Sequence, residues 1–268
     1  MNHAAARPAG RAGRGVRKTA AGLGIALALT GCGGGEDTTA NEQPWLKPTA
    51  SADPSQPAKP SGPATAAAEN PGEGGAVSGD ELESVLAEMN TDLDIGGTLV
   101  GDADLKRSNA QAVDAMRGAE YSPCDPSEGT DLAKASEEAS MAALAIDGNV
   151  PGTPDVISVT SWPDEQPVQE EIETSKRQLA ACPEFTLTVN GQTVSSVTEK
   201  VDMPLVGEAS QAYQTRATAN GVTETTLILT AWSGTNSVQI TLNEAGDPQE
   251  AIRYVGPVLE ETLKRVEG

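Results

Sequence analysis

Residues 223–242 read TETTLILTAWSGTNSVQITL, and this stretch decides the fold of the chain. Its two alternating segments, 223–232 and 237–242, are rich in the β-branched and aliphatic residues of half-buried strands. Residues 233–236 (Ser-Gly-Thr-Asn) separate the segments and are typical of a turn. One face of this hairpin would carry four aliphatic side chains: Leu227, Leu229, Val238 and Ile240. We therefore predict an antiparallel hairpin that buries one face.

Strand patterns before this hairpin predict a larger antiparallel sheet. Residues 209–218 form a candidate strand directly before it. Residues 185–189 alternate Phe, Leu and Val with Thr and lead into Asn-Gly at 190–191, a strong signal for a two-residue hairpin turn. With that turn, Leu187 would face Val194. The sheet is thus predicted to grow by hairpins between strands that are neighbours in the sequence.

Helical signals lie on both sides of the strand region. Gly79-Asp80-Glu81 opens a first helix, and a second is expected over about 104–116. The last helix has Asp247 as N-cap and Pro248 as its first residue, and it runs to about Val266. The first helix places four apolar residues on one face: Leu82, Val85, Leu86 and Met89.

A further strand and helix are predicted in the middle of the chain. Residues 155–162 alternate and lead through Pro163-Asp164 into a helix with Pro167 in its first turn. The spacing of this helix gives one narrow buried stripe: Val168, Ile172, Ser175, Leu179 and Cys182. Residues 130–146 are ambiguous, because their alanines favour helix while Ser140–Ile146 could form a strand before a turn at Asp147-Gly148.

The order of these elements predicts an α+β fold. Helices come first, then strands, a helix, a strand meander and a final helix. Such an order is typical of an antiparallel β-sheet that helices cover on one face. We assign residues 79–268 to this single domain.

The first 32 residues predict export and a lipid anchor. Five basic residues precede an uncharged run over 20–30, which is typical of a secretion signal and far shorter than the roughly 20 residues of a membrane span. Leu29-Thr30-Gly31-Cys32 resembles a bacterial lipobox, in which the cysteine receives a diacylglycerol group. An ordinary secretory signal with an incidental cysteine is the alternative. We expect residues 1–31 to be the signal peptide and Cys32 to anchor the protein at the outer face of the cell membrane.

Residues 32–78 are predicted to be a disordered linker. Positions 33–78 hold 7 Pro, 9 Ala and 7 Gly without apolar periodicity, so this segment cannot bury enough surface to fold. As a flexible coil it would hold the domain on the order of 40 Å from the membrane. The linker would act as a tether.

Charge and composition exclude several functions. Removal of residues 1–31 leaves 13 basic and 39 acidic side chains, a formal net charge of −26. Nucleic-acid binding requires Lys and Arg clusters and is therefore not expected. The single histidine, His3, lies in the signal, so His-based catalytic triads and zinc motifs are not expected in the mature protein. We predict no catalytic residues, no metal site and no cofactor.

Two further patterns involve cysteines and acidic residues. Cys124 and Cys182 form an even pair in an exported chain and predict one disulfide, with two free buried thiols as the alternative. A set of alternating acids, Asp92, Asp94, Asp102 and Asp104, suggests a calcium loop. An EF-hand would need glycine where Ile95 stands, so solvated turn acids are the preferred interpretation.

Four short motifs together resemble a known family. They are Ser122-Pro123-Cys124, residues 179–182 (LAAC), residues 207–210 (GEAS) and residues 232–238 (WSGTNSV). In this order they resemble actinobacterial extracytoplasmic sensor-domain lipoproteins, which are similar to the extracellular domain of the receptor kinase PknH. The resemblance covers about residues 79–268. It implies an antiparallel sheet with helices around a cleft, an unidentified ligand, no enzyme activity and a strand at Ser140–Ile146. The chain departs from the kinase sensor in having one cysteine pair where two disulfides are expected.

Two functional hypotheses follow. The first is a non-catalytic binding domain for a small or cell-wall ligand, and the second is an envelope-assembly lipoprotein that acts through protein partners. Aromatic residues are scarce, seven in 268, and cations are rare on so acidic a chain. On that basis the candidate ligand-binding residues are Trp162, Tyr213, Arg216 and Trp232, each of which could instead pack in the core.

Overall fold

A computed structural model of the chain describes residues 76–127, 137–189 and 191–268. The predicted signal peptide 1–31, the anchor Cys32 and nearly all of the linker lie outside these ranges. In the described part, the helices are α1 (Gly79–Asp92), α2 (Asp102–Ala115), α3 (Gln166–Ala181) and α4 (Pro248–Glu267). The predicted helices are therefore confirmed, with α2 starting two residues earlier than expected.

The described strands form one nine-stranded sheet in which every neighbouring pair is antiparallel, in the order β1-β3-β4-β9-β8-β7-β6-β5-β2. The strands are β1 (Thr98–Val100), β2 (Glu120–Ser122), β3 (Ser140–Val150), β4 (Thr153–Ser161), β5 (Glu184–Val189), β6 (Gln192–Val201), β7 (Ala209–Ala219), β8 (Val222–Ser233) and β9 (Asn236–Asn243). The predicted α+β fold class with an antiparallel sheet is confirmed.

The two hairpins that the sequence predicted have the expected registers. In the β8–β9 hairpin, Leu229 pairs with Ile240 and Ser233 pairs with Asn236 across a two-residue turn. In the β5–β6 hairpin, Leu187 pairs with Val194. Gly191 of that turn has a φ of 76°, which suits glycine, while its neighbour Asn190 lies outside the described residues.

Strand β3 confirms the interpretation of Ser140–Ile146 as a strand, but the predicted turn at Asp147-Gly148 is wrong. The strand continues to Val150 through an irregularity after Ile146, and the turn lies at residues 151–152. The physical reason is the neighbourhood of Gly148. A Cβ atom at this position would lie 2.8 Å from Cγ of the buried Asp155. Glycine therefore allows close contact within the sheet here and does not form the turn.

Helices α1 and α4 cover one face of the sheet. Their apolar residues pack against alternate residues of the central strands, including Leu144, Ile157, Leu229 and Ile240, which are all fully buried. Both helices have strong N-terminal caps. Ser78 and Glu81 form a capping box at α1, and the Asp247 carboxylate accepts hydrogen bonds from the backbone N–H groups of residues 249 and 250 at α4. This layer is the helical cover that the sequence predicted.

The structure adds a second layer on the opposite face, where α2 and α3 pack. Leu105 of α2, with Val168 and Ile172 of α3, contacts the residues of β3 that alternate with the first core, among them Met141 and Ala143. The predicted stripe on α3 is buried at Val168, Ile172 and Cys182. The space between α3 and the sheet is the location of the candidate site.

The predicted disulfide between Cys124 and Cys182 is confirmed, with a Cα–Cα distance of 5.8 Å. It joins the segment after β2 to the C-terminal end of α3. Disulfides persist in oxidising compartments, so this bond indicates an extracytoplasmic location.

Three of the four acids of the suggested calcium loop have protein partners. Asp92 pairs with Arg265 at 2.8 Å, Asp104 pairs with Arg107, and Asp102 accepts a hydrogen bond from the backbone N–H of Met141. Within the described ranges, no group of three or more His, Cys, Asp or Glu residues is arranged to hold a metal ion. None of the described helices is both long enough and apolar enough to cross a membrane.

Candidate ligand-binding site

A cavity of about 90 Å³ lies between α3 and the sheet. This volume exceeds the roughly 10–15 Å³ that a single water molecule requires. Helix α3 contributes Ser175, Gln178 and Leu179 to its wall, and the disulfide segment contributes Cys182 and Pro126. Its floor consists of residues from β5 to β8: Phe185, Ser196, Thr198, Tyr213, Thr215, Ala217, Thr226 and Ile228.

Strand alternation explains the polar floor. On β7, every second side chain from Tyr213 to Ala217 is on the α3 side, and β6 presents Ser196 and Thr198 next to them. Thr198 and Thr215 are direct cross-strand partners, and their hydroxyl oxygens lie 3.0 Å apart. A sheet face with this many hydroxyl groups cannot form a dry core, so the contact between α3 and the sheet is incomplete here.

Helix α3 is held over the sheet at both ends. Its N-terminal half packs through Val168 and Ile172 against Trp162 and Trp232. The side chain of Gln211 on β7 donates a hydrogen bond to the Ser175 hydroxyl in the middle of the helix. The disulfide at Cys182 fixes the C-terminal end. The cavity lies between the apolar contacts and the disulfide.

Glu171 of α3 forms a buried acidic group beside this cavity. The residue as a whole is only partly covered, but its Oε2 atom is inaccessible and has no hydrogen bond. Burial raises the pKa of Glu171 to about 7, and the nearby indole N–H of Trp232 offsets this only in part. That N–H makes no hydrogen bond of standard geometry, so the contact with Glu171 is weak.

Tyr213 connects Glu171 to the cavity. Burial raises the pKa of the Tyr213 phenol, and the charge of Glu171 raises it further, so the two groups lie close together. Tyr213 also lines the cavity. A change in the charge of Glu171 would therefore alter the electrostatic potential at Tyr213, which is part of the cavity wall.

The four residues predicted from the sequence fall into three environments. Trp162 and Trp232, with 4% and 2% of their surface exposed, pack under the N-terminal half of α3. Tyr213 lies in the cavity. Arg216 is on the other face of the sheet, since it lies three positions after Tyr213 along the strand, and it pairs with Glu199 at 2.9 Å. The structure thus brings the three aromatic residues to the α3 face and separates Arg216 from them.

Sequence reasoning missed Glu171 and the threonines of the cavity floor. A signal for Glu171 was present, because it lies three residues after Val168 and four before Ser175 and therefore on the predicted stripe. An acidic residue on a stripe that is otherwise predicted to be buried is a signal for a functional site. Thr198 and Thr215 could be recognised only from the pairing of β6 with β7, which no short turn motif fixes.

Solved structures that are similar to this chain include the following two. The crystal structure of the extracellular domain of PknH from Mycobacterium tuberculosis matches with a TM-score of 0.46 and 12% identity, covering 72% of this chain and 98% of that one. An uncharacterised protein of Mycobacterium smegmatis, an ortholog of Rv0999, matches with a TM-score of 0.34 and 14% identity, covering 56% and 77%. No protein-family model and no curated protein matches the chain.

Proposed function

We propose that this protein is a non-catalytic extracytoplasmic binding domain, anchored by lipid at Cys32, that takes a small ligand in the cavity beneath α3. The observation that carries the proposal is the cavity itself. It combines apolar walls with several hydrogen-bonding side chains, the composition that small-molecule sites share. At about 90 Å³ it would hold a small ligand or one end of a larger one.

The N-terminal sequence, the disulfide and the scarcity of histidine support the same proposal. The lipobox at 29–32 would anchor the protein at the outer surface of the membrane, and the linker would connect the domain to that anchor. The disulfide agrees with that compartment. The single histidine lies at position 3, which removes the most frequent general base from the mature chain.

A blocking variant tests the proposal. Ala217 lines the cavity, so Ala217→Phe should fill it with a ring and prevent binding. Ser195 on β6 is exposed and lies on the opposite face from the cavity residue Ser196, so Ser195→Phe adds the same ring outside the site. The complete proteins, purified from their host in detergent, would be compared by native mass spectrometry.

We expect wild type and Ser195→Phe to retain the same small-molecule mass and Ala217→Phe to lose it. Thermal unfolding would verify that all three proteins are folded. Retention of the same mass by folded Ala217→Phe, or no retained mass on any of the proteins, would contradict the proposed site.

A further inference from the structure

The cavity has a neutral lining that is rich in hydroxyl groups. Of the described residues that line it, none carries a full charge at neutral pH. Hydroxyl groups come from both the helix and the sheet: Ser175, Ser196, Thr198, Tyr213, Thr215 and Thr226. A hydroxyl group can both donate and accept a hydrogen bond. Part of this capacity is used within the protein, because Thr198 and Thr215 share a hydrogen bond, the Ser175 hydroxyl accepts one from Gln211, and Thr226 donates one to Asn243. The lining therefore matches a ligand whose groups donate and accept in turn.

This lining disfavours a charged ligand. A charge taken from water into such a site needs an opposite charge or several directed hydrogen bonds, and without them the transfer is strongly unfavourable. The carboxyl group of Glu171 is not part of the lining, and its Oε2 atom is closed to solvent. It is therefore not positioned to pair with a cation in the cavity. No basic side chain is present among the described lining residues to pair with an anion.

Apolar surfaces face the same space. Phe185, Leu179 and Ile228 line the cavity together with the hydroxyl groups. Such surfaces pack against C–H groups, while the hydroxyls satisfy polar groups on the ligand edge. A ring that carries several hydroxyl groups has both kinds of surface, whereas a purely aliphatic ligand would leave buried hydroxyls without partners.

We propose that the cavity binds an uncharged, polyhydroxylated group no larger than one sugar ring. This inference rests on the proposed function, because it names the ligand class of the same cavity. A fully enclosed cavity of about 150 Å³ holds benzene. The cavity beneath α3 is smaller but partly open, so one ring would enter it in part and any remainder of the ligand would stay outside.

Three monosaccharides of similar size test the charge preference. Glucose, glucuronate and glucosamine would be titrated into the complete protein at pH 6, where the amine of glucosamine is protonated, with binding followed by ligand-observed NMR. We expect glucose to bind at least about threefold more tightly than either charged sugar, because orientations that enclose the charged group are unfavourable and only those that leave it at the open side remain. Equal or tighter binding of a charged sugar would overturn the proposal. This comparison needs no variant.

A pair of matched double variants tests the site. Thr198→Val with Thr215→Val removes two hydroxyls that bond to each other, so neither partner is left unsatisfied and the β-branched shape is kept. We expect glucose binding to weaken at least about fivefold, for two lost ligand contacts. Thr188 and Thr193 form the same cross-strand pair at 3.2 Å on the exposed side, so Thr188→Val with Thr193→Val is the control and should leave binding unchanged. Equal effects of the two double variants would refute the cavity as the sugar site.

The results also separate this inference from the proposed function. If no monosaccharide binds but the protein from its host retains another compound that Ala217→Phe loses, the ligand class is wrong and the binding function stands. If the protein neither binds a monosaccharide nor retains a compound, both proposals fail.

Discussion

At the scale of single residues, Glu171 has the most unusual environment in the described domain. Its carboxyl group is covered by α3 and the sheet, with Trp232 and Tyr213 beside it. Burial disfavours the charged form, which raises the pKa from 4.5 to about 7. The folded protein therefore binds this proton more tightly than the unfolded chain does. The stability linked to the proton is fully present below about pH 4.5 and is lost as the pH rises through about 7.

We predict that Glu171→Gln removes this pH dependence. Because glutamine stays neutral, the free energy of unfolding of the variant relative to wild type should increase between pH 5 and pH 8, by up to about 3 kcal/mol. Urea denaturation at both pH values measures the difference. Glu173→Gln, at an exposed position on the same helix, is the control and should leave the wild-type pH dependence intact. A variant with the same pH dependence as wild type would show that Glu171 is not buried in solution.

At the scale of elements, α3 depends on the disulfide more than the other helices do. Helices α1 and α4 bury continuous apolar faces in the main core, with residues such as Leu86 and Leu259 fully covered. Helix α3 buries Val168 and Ile172 in its first half, whereas its second half lies over the hydroxyl-lined cavity. The disulfide bond at Cys182 therefore holds the second half of α3 on the sheet, where the cavity leaves little apolar packing.

We predict that Cys124→Ala with Cys182→Ala loosens α3 selectively. The bond closes a sequence separation of 58 residues, and loss of such a cross-link should lower the free energy of unfolding by about 2–5 kcal/mol. Hydrogen exchange should accelerate most in the second half of α3 and least in α1 and α4. Reduction of wild type should give the same pattern. Uniform acceleration across all four helices would show that the disulfide stabilises the domain as a whole and has no special effect on α3.

At the scale of the whole molecule, the two faces of the described sheet differ in packing. One face carries α1 and α4 over the larger apolar core. The other carries α2 and α3 over a smaller core and the cavity. A stable first layer allows the second to contain an incompletely packed region. In the proposed function, the cavity face would be the working surface and the linker would hold it away from the membrane.

We predict that Cys32→Ala releases the protein from the membrane. The variant cannot form the thioether to diacylglycerol, so it should lose labelling by an alkyne fatty acid and move from the membrane to the soluble fraction. Trp45→Ala, in the predicted linker, is the control and should keep both properties. Continued fatty-acid labelling of Cys32→Ala would contradict the assignment of the anchor.

Features that depend on neighbours along the chain could be predicted from the sequence. Such features reflect interactions within a few residues, so their sequence patterns could be recognised. They include the turns at residues 190–191 and 233–236, the cap at Asp247 and the stripe on α3. The pairing of Cys124 with Cys182 followed from the cysteine count in an exported chain. Even local signals have limits, because the turn expected at Gly148 was wrong for a reason that involves Asp155 on the neighbouring strand β4.

The contacts between residues far apart in the sequence became known only from the three-dimensional fold. The register of β6 on β7 brings Thr198 against Thr215, and the direction of each side chain follows from that register. The second helical layer and the burial of Glu171 arise in the same way. Their free energies come from contacts between distant segments, and hydrophobic periodicity states only that a face is buried, without identifying what covers it.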